Sequence, residues 1–214
     1  MFLLFLRPAA MQRTLVVMVK VPRPGQVKTR LGREIGMVPA AWWFRHQMKR
    51  LIVRLRDPRW HLALAVDPLA LGMRARVWPH DLERLPQRRG DLGHRMKRQF
   101  RLPAKGPVCV IGADIPGVSK AHISRAFENL GDHEAVVGPA TDGGYWLVGL
   151  KRVAAVPNSI FENVRWSGPN ALSDTIATLA CRRIGYADTL QDVDSAHDLA
   201  IVRKAAKAER RFCP

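Results

Sequence analysis

Short runs of β-branched and aliphatic residues recur along this chain, separated by stretches of helical spacing, and that alternation admits few folds. Thr14 to Val21 (TLVVMVKV) is apolar nearly throughout and ends in the Pro and Gly cluster of Pro22 to Gly25, which reads as a buried strand followed by a loop. Trp60 to Val66 and Pro107 to Ile111 are further apolar runs, and Ala135 to Val137 and Tyr145 to Leu150 read as strands around a Gly-rich turn. Helices are expected over Pro39 to Leu55, over Asp91 to Phe100 with Asp91 as N-cap, over Ser119 to Leu130 with Gly131 as the stop, and over Ala171 to Cys181. Ser195 and Asp198, at capping-box spacing, announce a last helix ahead of Leu199 and Ile201. Strands joined through helices require crossovers, and crossovers give a largely parallel α/β sheet covered on both faces. Ligands of such sheets sit beyond the carboxyl ends of the strands, where the strand order reverses. The loops after the strands are therefore where chemistry is to be sought.

Composition narrows the class. The 214 residues, 47% of them apolar, suffice for one sizeable α/β domain, expected over residues 11–214. Residues 1–10 carry an apolar run from Phe2 to Leu6 that is too short to span a bilayer and has neither a preceding basic residue nor a cleavage site. Met11 stands just ahead of the first convincing strand, so residues 1–10 read as an N-terminal extension, and a cytoplasmic location is the expectation. Cys109, Cys181 and Cys213 are odd in number, widely spaced and without a CxxC pair, which argues against a disulfide framework and a zinc cluster. A formal charge of +17, from 35 Lys and Arg against 18 Asp and Glu, suggests an anionic partner. The basic residues are spread along the chain without interleaved aromatics, so a phosphate ligand is favoured over nucleic acid.

Five segments carry candidate chemistry. Pro22 to Gly32 (PRPGQVKTRLG) joins turn-forming residues to two close cations, Lys28 and Arg30; backbone amides in such a turn can face phosphate oxygens while the cations neutralise their charge. A solvated basic loop is the equal alternative. Ile111 to Pro116 (IGADIP) puts the carboxylate of Asp114 directly after a buried strand, where it can hold Mg²⁺ or Mn²⁺ or else cap the next turn. In Gly138 to Trp146 (GPATDGGYW), Asp142 can accept from a hydroxyl and the paired glycines permit close backbone approach, though a hairpin turn explains Asp-Gly-Gly equally well. Gly90-Asp91-Leu92-Gly93 leads into a helix, and Asp192 and Asp194 stand before the last one, either of them a second metal ligand or part of the turn.

The stretches VPRPGQVKTRLG, QRRGDLGHRM, IGADIP, VGPATDGGYWLVGL, IFENVRWS and DVDSAHDL, in that order, resemble the DUF2064 family of GT-A superfamily glycosyltransferases, related to the MobA-like and CofC-like nucleotidylyltransferases. The resemblance runs from about Arg13 to about Ile201. It implies a three-layer α/β/α sandwich of the nucleotide-diphospho-sugar transferase type with a mostly parallel central sheet. Carried over by residue, it implies that Gly25, Lys28, Thr29 and Arg30, with Pro22 and Asp91, hold the nucleotide. Asp114 takes the metal position with Asp194 as second ligand, and Gly143, Gly144 and Tyr145, beside Asp142, shape the substrate pocket. Asp114, Lys28 and Arg30 would then be catalytic, with Mg²⁺ or Mn²⁺ as cofactor and a nucleotide or nucleotide-sugar and a small acceptor as partners. The expected activity is glycosyl transfer, with nucleotidyl transfer releasing pyrophosphate, or nucleotide binding without catalysis, as alternatives.

Overall fold

The computed structural model describes residues 11–102, 105–179 and 183–212. The proposed extension over residues 1–10, and Cys181 and Cys213, lie outside the described residues. Seven strands form one sheet: β1 (Thr14–Lys20), β2 (His61–Asp67), β3 (Glu83–Pro86), β4 (Val108–Gly112), β5 (Ala135–Pro139), β6 (Tyr145–Leu150) and β7 (Ile184–Tyr186). Their spatial order is β3-β2-β1-β4-β6-β5-β7. β1 pairs in parallel with β2 and with β4, β2 with β3, and β5 with β7, whereas β6 runs antiparallel to both β4 and β5. A mostly parallel sheet is thus realised, with β6 as its one reversed strand. Strand order reverses between β1 and β4, since the chain first builds outward through β2 and β3 and then returns to the other side of β1.

The continuous apolar character of β1 follows from burial on both faces. Leu15, Val17 and Val19 pack with Phe44, Met48, Leu51 and Ile52 of α2 (Met37–Arg54) and with Ile123, Phe127 and Leu130 of α5 (Lys120–Asp132). Val16, with Met18 against it, faces the opposite layer, among Met96 of α4 (Leu92–Gln99), Phe100, Val108 and Val110, with Leu172 and Ile176 of α6 (Ala171–Thr178) against the same cluster. Period-two alternation along one strand therefore feeds two separate cores, which makes the three-layer sandwich.

The helix ends follow local chemistry. Asp91 caps α4 by accepting the backbone N–H of His94, and Ser119 caps α5 in a reciprocal box with His122. Gly131 does not stop α5, which continues to Asp132 and ends where His133 turns extended. A glycine there costs about 1 kcal/mol relative to alanine, and the burial of Ile123, Phe127 and Leu130 on the sheet outweighs it. Four short elements carry little periodicity: α1 (Thr29–Ile35), α3 (Leu69–Arg74), β3 and β7. The remaining helix, α7 (Ala196–Phe212), follows the Ser195 cap. Among the described residues no helix is long and apolar enough to cross a membrane.

Candidate active site

Adjacency of β1 and β4 brings the loops that follow them to one point on the carboxyl rim of the sheet, the place where a doubly wound sheet opens a crevice. Because β6 is reversed, its amino end reaches the same rim and carries the 140–144 turn with it. The segment after β7 continues beside that turn: Leu190 donates its N–H to Pro139 O at 3.1 Å and forms a parallel bridge with Ala140. Asp192 and Asp194 are thereby delivered to the rim from a third direction.

In the first loop, Gln26 N–H donates to Arg23 O at 3.0 Å, with Pro24 second and Gly25 third at φ 71°, the residue pattern of a type II turn. Val27 is buried, and Lys28 adopts a left-handed backbone (φ 46°, ψ 49°) immediately before α1. That conformation, disfavoured by about 1–2 kcal/mol for a residue with a Cβ, accompanies an inward-turned side chain only 7% exposed. Its ammonium donates to Asp114 Oδ2 at 2.8 Å and to Asp194 Oδ1 at 2.6 Å, while Arg30, far more exposed, donates to Asp194 Oδ2 at 3.3 Å. Burial, the largest single effect, works against the charge on Lys28. The attraction of Asp114 and Asp194 and their hydrogen bonds together outweigh it, and the amine is held protonated above its ordinary range.

Asp114, Asp192 and Asp194 offer carboxylate oxygens within 4.8 Å of one another. Burial, and then the like charges of Asp194 and Asp114, push the Asp192 carboxyl up to about 6, with Lys28 opposing and Asp142 adding to the shift. Mutually repelling oxygens that are half-buried at a cleft fit the demands of a hard divalent cation. Asp198 holds the segment that bears two of them. Its Oδ2 accepts the backbone N–H groups of Asp194 (3.1 Å) and Ser195 (2.8 Å) and the Ser195 hydroxyl (2.7 Å), while Oδ1 accepts from Gln191 (3.1 Å). The capping box expected at Ser195 and Asp198 is thus present, and it orients acids as well as starting α7.

A cleft of about 450 Å³ opens beside this cluster, and Asp114, Asp142, Asp192, Asp194, Gly144 and Tyr145 are in its wall. Asp142 also accepts Gly144 N–H at 2.9 Å, so the hairpin-turn reading and the cleft position hold together. Gly143 serves the backbone: at φ 85°, a Cβ would stand 2.5 Å from Pro169 O. The Tyr145 hydroxyl accepts from Thr175 Oγ1 at 3.2 Å and donates to Met96 Sδ at 3.8 Å, and its burial raises its pKa strongly. Pro22, Gly25, Lys28, Thr29 and Arg30 are outside the cleft wall, and Lys28 and Arg30 reach it through their bonds to Asp114 and Asp194. Asp91 is likewise outside it, its Oδ1 taken by the backbone N–H and the ring of His94, both at 2.8 Å, because a helix start without another acceptor claims the nearest carboxylate.

Sequence reasoning left Asp192 behind Asp194 and did not find the far end of the cleft. There Asp67, at the carboxyl end of β2, lies 3.3 Å from Arg95 and 3.9 Å from Lys20, and Gln87 donates to Val19 O and Ala65 O. An acid closing an apolar run, the signal that marked Asp114, was available for Asp67 as well.

The seven-stranded, mostly parallel sheet with flanking helices is the fold of the nucleotide-diphospho-sugar transferase type. The profile of the family described as "Uncharacterized protein conserved in bacteria (DUF2064)" matches residues 51–168, more than half of the chain. The chain belongs to that family. Among solved structures it is similar to a protein of Desulfovibrio desulfuricans G20 provisionally described as a nucleotide-diphospho-sugar transferase, with 28% identity, a TM-score of 0.80, and coverage of 89% of this chain and 85% of that one. It shares its fold with Rv0371C of Mycobacterium tuberculosis H37Rv, solved in complex with manganese (17% identity, TM-score 0.54, 90% and 98% covered). The inositol-1-phosphate CTP transferase of T. maritima also has this fold (13% identity, TM-score 0.57, 89% and 92% covered). No curated protein gives a significant match.

Proposed function

We propose that the protein is a metal-dependent transferase that takes a nucleotide-sugar donor and passes the sugar to a small acceptor. The observation that carries this reading is the convergence of Lys28 and Arg30 with Asp114, Asp192 and Asp194 at one end of the cleft. Asp114 and Asp194, with Asp192, would hold Mg²⁺ or Mn²⁺. Such an ion supplies charge neutralisation at a diphosphate.

The remaining work falls to the chain. Lys28 and Arg30 are cations on the rim, suited to meet the negative charge that grows on the nucleoside diphosphate as the bond from sugar to phosphate breaks. Asp142, also in the cleft wall, is suited to accept a hydrogen bond from a sugar or acceptor hydroxyl. The apolar walls around Met96, Tyr145 and Trp166 restrict water and position the reactants, so that orientation and electrostatics supply most of the rate.

Nucleotidyl transfer with release of pyrophosphate is the second reading, favoured by the Lys28-Thr29-Arg30 segment, which brings two cations to bear on the acid cluster. The test is a thermal-shift screen of nucleotides and nucleotide-sugars with and without Mn²⁺, followed by product analysis of the hits. A metal-dependent rise in melting temperature with a nucleotide-sugar, and release of a nucleoside diphosphate, is the expected result. Pyrophosphate release from a nucleoside triphosphate would select the second reading, and binding with neither product would overturn both.

A further inference from the structure

Asp114 and Asp194 have two claimants. Lys28 already donates to one oxygen of each, at 2.8 and 2.6 Å, and the same two carboxylates belong to the triad suited to a divalent cation. A dication on those oxygens would place a doubly charged ion beside the ammonium in a site where only 7% of the lysine side chain is exposed and water screens poorly. Arg30 closes off the second oxygen of Asp194 at 3.3 Å, leaving less room for ammonium and cation to share that carboxylate. The backbone of Lys28 is pinned between the Arg23 to Gln26 turn and the first turn of α1, where Gly32 N–H donates to Lys28 O at 2.8 Å. Its four-carbon stem keeps its own rotamers and can swing without moving that backbone.

We propose that Lys28 couples cation binding to nucleotide binding: its ammonium competes with the divalent cation for Asp114 and Asp194, and the phosphates of an incoming nucleotide take up the ammonium that the cation displaces. This rests on the metal reading of the triad given above. Cation alone binds against the lysine, nucleotide alone meets a lysine already committed to carboxylates, and each ligand relieves the obstacle to the other. By linkage the two binding events are therefore cooperative, and Lys28 is the residue through which they communicate.

The test uses Mn²⁺ as the probe on the whole protein. Free Mn²⁺ is followed by its electron paramagnetic resonance signal during titration of the wild type, Lys28→Met and Lys20→Met, the last removing a lysine that lines the cleft beside Asp67. In parallel, the reactivity of each lysine of the wild type toward an amine-modifying reagent is read by mass spectrometry with and without saturating Mn²⁺. The expected results are at least tenfold tighter Mn²⁺ binding in Lys28→Met, little change in Lys20→Met, and a several-fold rise in Lys28 labelling when Mn²⁺ is bound. Equal affinity in wild type and Lys28→Met, an equal gain in Lys20→Met, or a Lys28 that stays protected at saturating Mn²⁺ would each overturn the coupling while leaving the metal site standing. Absence of Mn²⁺ binding in every protein would remove the metal reading itself. The labelling measurement needs no variant, so it decides the matter even if Lys28→Met fails to fold.

Discussion

The Lys28 ammonium donates to Asp114 Oδ2 at 2.8 Å across the junction of β1 and β4, the point at which the strand order of the sheet reverses. Two loops that are 86 positions apart in sequence are thereby joined by a charge-assisted hydrogen bond behind Asp114, which lines the cleft. Asp114 is half-buried and Lys28 retains Asp194 in its absence, so Asp114→Ala is expected to keep the fold while losing Mn²⁺ binding and any metal-dependent turnover. Isothermal titration with Mn²⁺ beside a thermal melt checks both halves, and a variant that turns over fully at saturating Mn²⁺ would refute the role of Asp114.

Lys28→Ala and Arg30→Ala should each weaken nucleotide binding in the presence of Mn²⁺ by the worth of a charge-assisted hydrogen bond, roughly 1.5–3 kcal/mol. Arg30 is the more exposed of the two and is screened by solvent, so its effect belongs at the lower end. Unchanged nucleotide affinity in both variants would rule the loop out as the phosphate site.

Asp198 is a positioning residue, since all four of its hydrogen bonds described above go to the segment 191–195 that bears Asp192 and Asp194. Asp198→Asn is expected to weaken Mn²⁺ binding by about 10- to 100-fold, the usual range for a group that orients a metal ligand, although residue 198 is outside the acid triad. Manganese titration at a temperature well below the melt measures this, and wild-type affinity would show that the segment holds its shape unaided.

Two glycines should respond in opposite directions. Gly143→Ala meets both a positive φ of 85° and Pro169 O at 2.5 Å, and is expected to cost about 1–3 kcal/mol. Gly131→Ala, in the last turn of α5 with nothing within 4 Å of the new Cβ, is expected to stabilise by about 0.4–1 kcal/mol. Urea denaturation of both variants tests the pair, and a stable Gly143→Ala would mean that the turn against Pro169 is less constrained than its geometry indicates.

Stability should fall in acid within a defined window. Hydrogen bonds from Arg59 to Asp57, from Arg56 to Asp81 and from Arg165 to Asp174 lower each of these carboxyls to about 2. An unfolded aspartate titrates near about 4. Since the folded values lie below the unfolded one, the stabilisation is present above about pH 4 and is lost as the pH falls toward about 2. Melting temperature measured from pH 7 down to pH 2 should drop mainly within that interval, and an unchanged value across it would show that the three pairs contribute nothing net.

Wherever a signal is local, the residues carried it. Burial of β1 on both faces is written in an unbroken apolar run, the start of α4 in Asp91, and the start of α7 in the pairing of Ser195 with Asp198. Asp114 stood out because a carboxylate that closes a buried strand has few places to go but the rim. The elements that escaped notice, α1, α3, β3 and β7, are too short for periodicity to accumulate, and they exist because neighbouring strands and helices hold them in place. Gly131 misled in the same way: its propensity is local, but the helix length was set by the core beneath α5.

By itself the sequence determined an alternating α/β chain, a mostly parallel sheet, and the loops at which a ligand would be met. The family resemblance already grouped Lys28, Arg30, Asp114 and Asp194, and tertiary structure alone set their contacts and brought Asp192 among them. Lys28, Asp114, Asp192 and Asp194 meet because β4 lies against β1 and the segment after β7 runs beside the 140–144 turn; Asp91 is withheld because its helix needs a cap. Hydrogen bonding within a turn or a cap acts over a few residues and leaves its mark in adjacent letters. Charge pairing across a sheet acts through space, and strand order, which no short stretch of sequence encodes, fixes the distances that govern it.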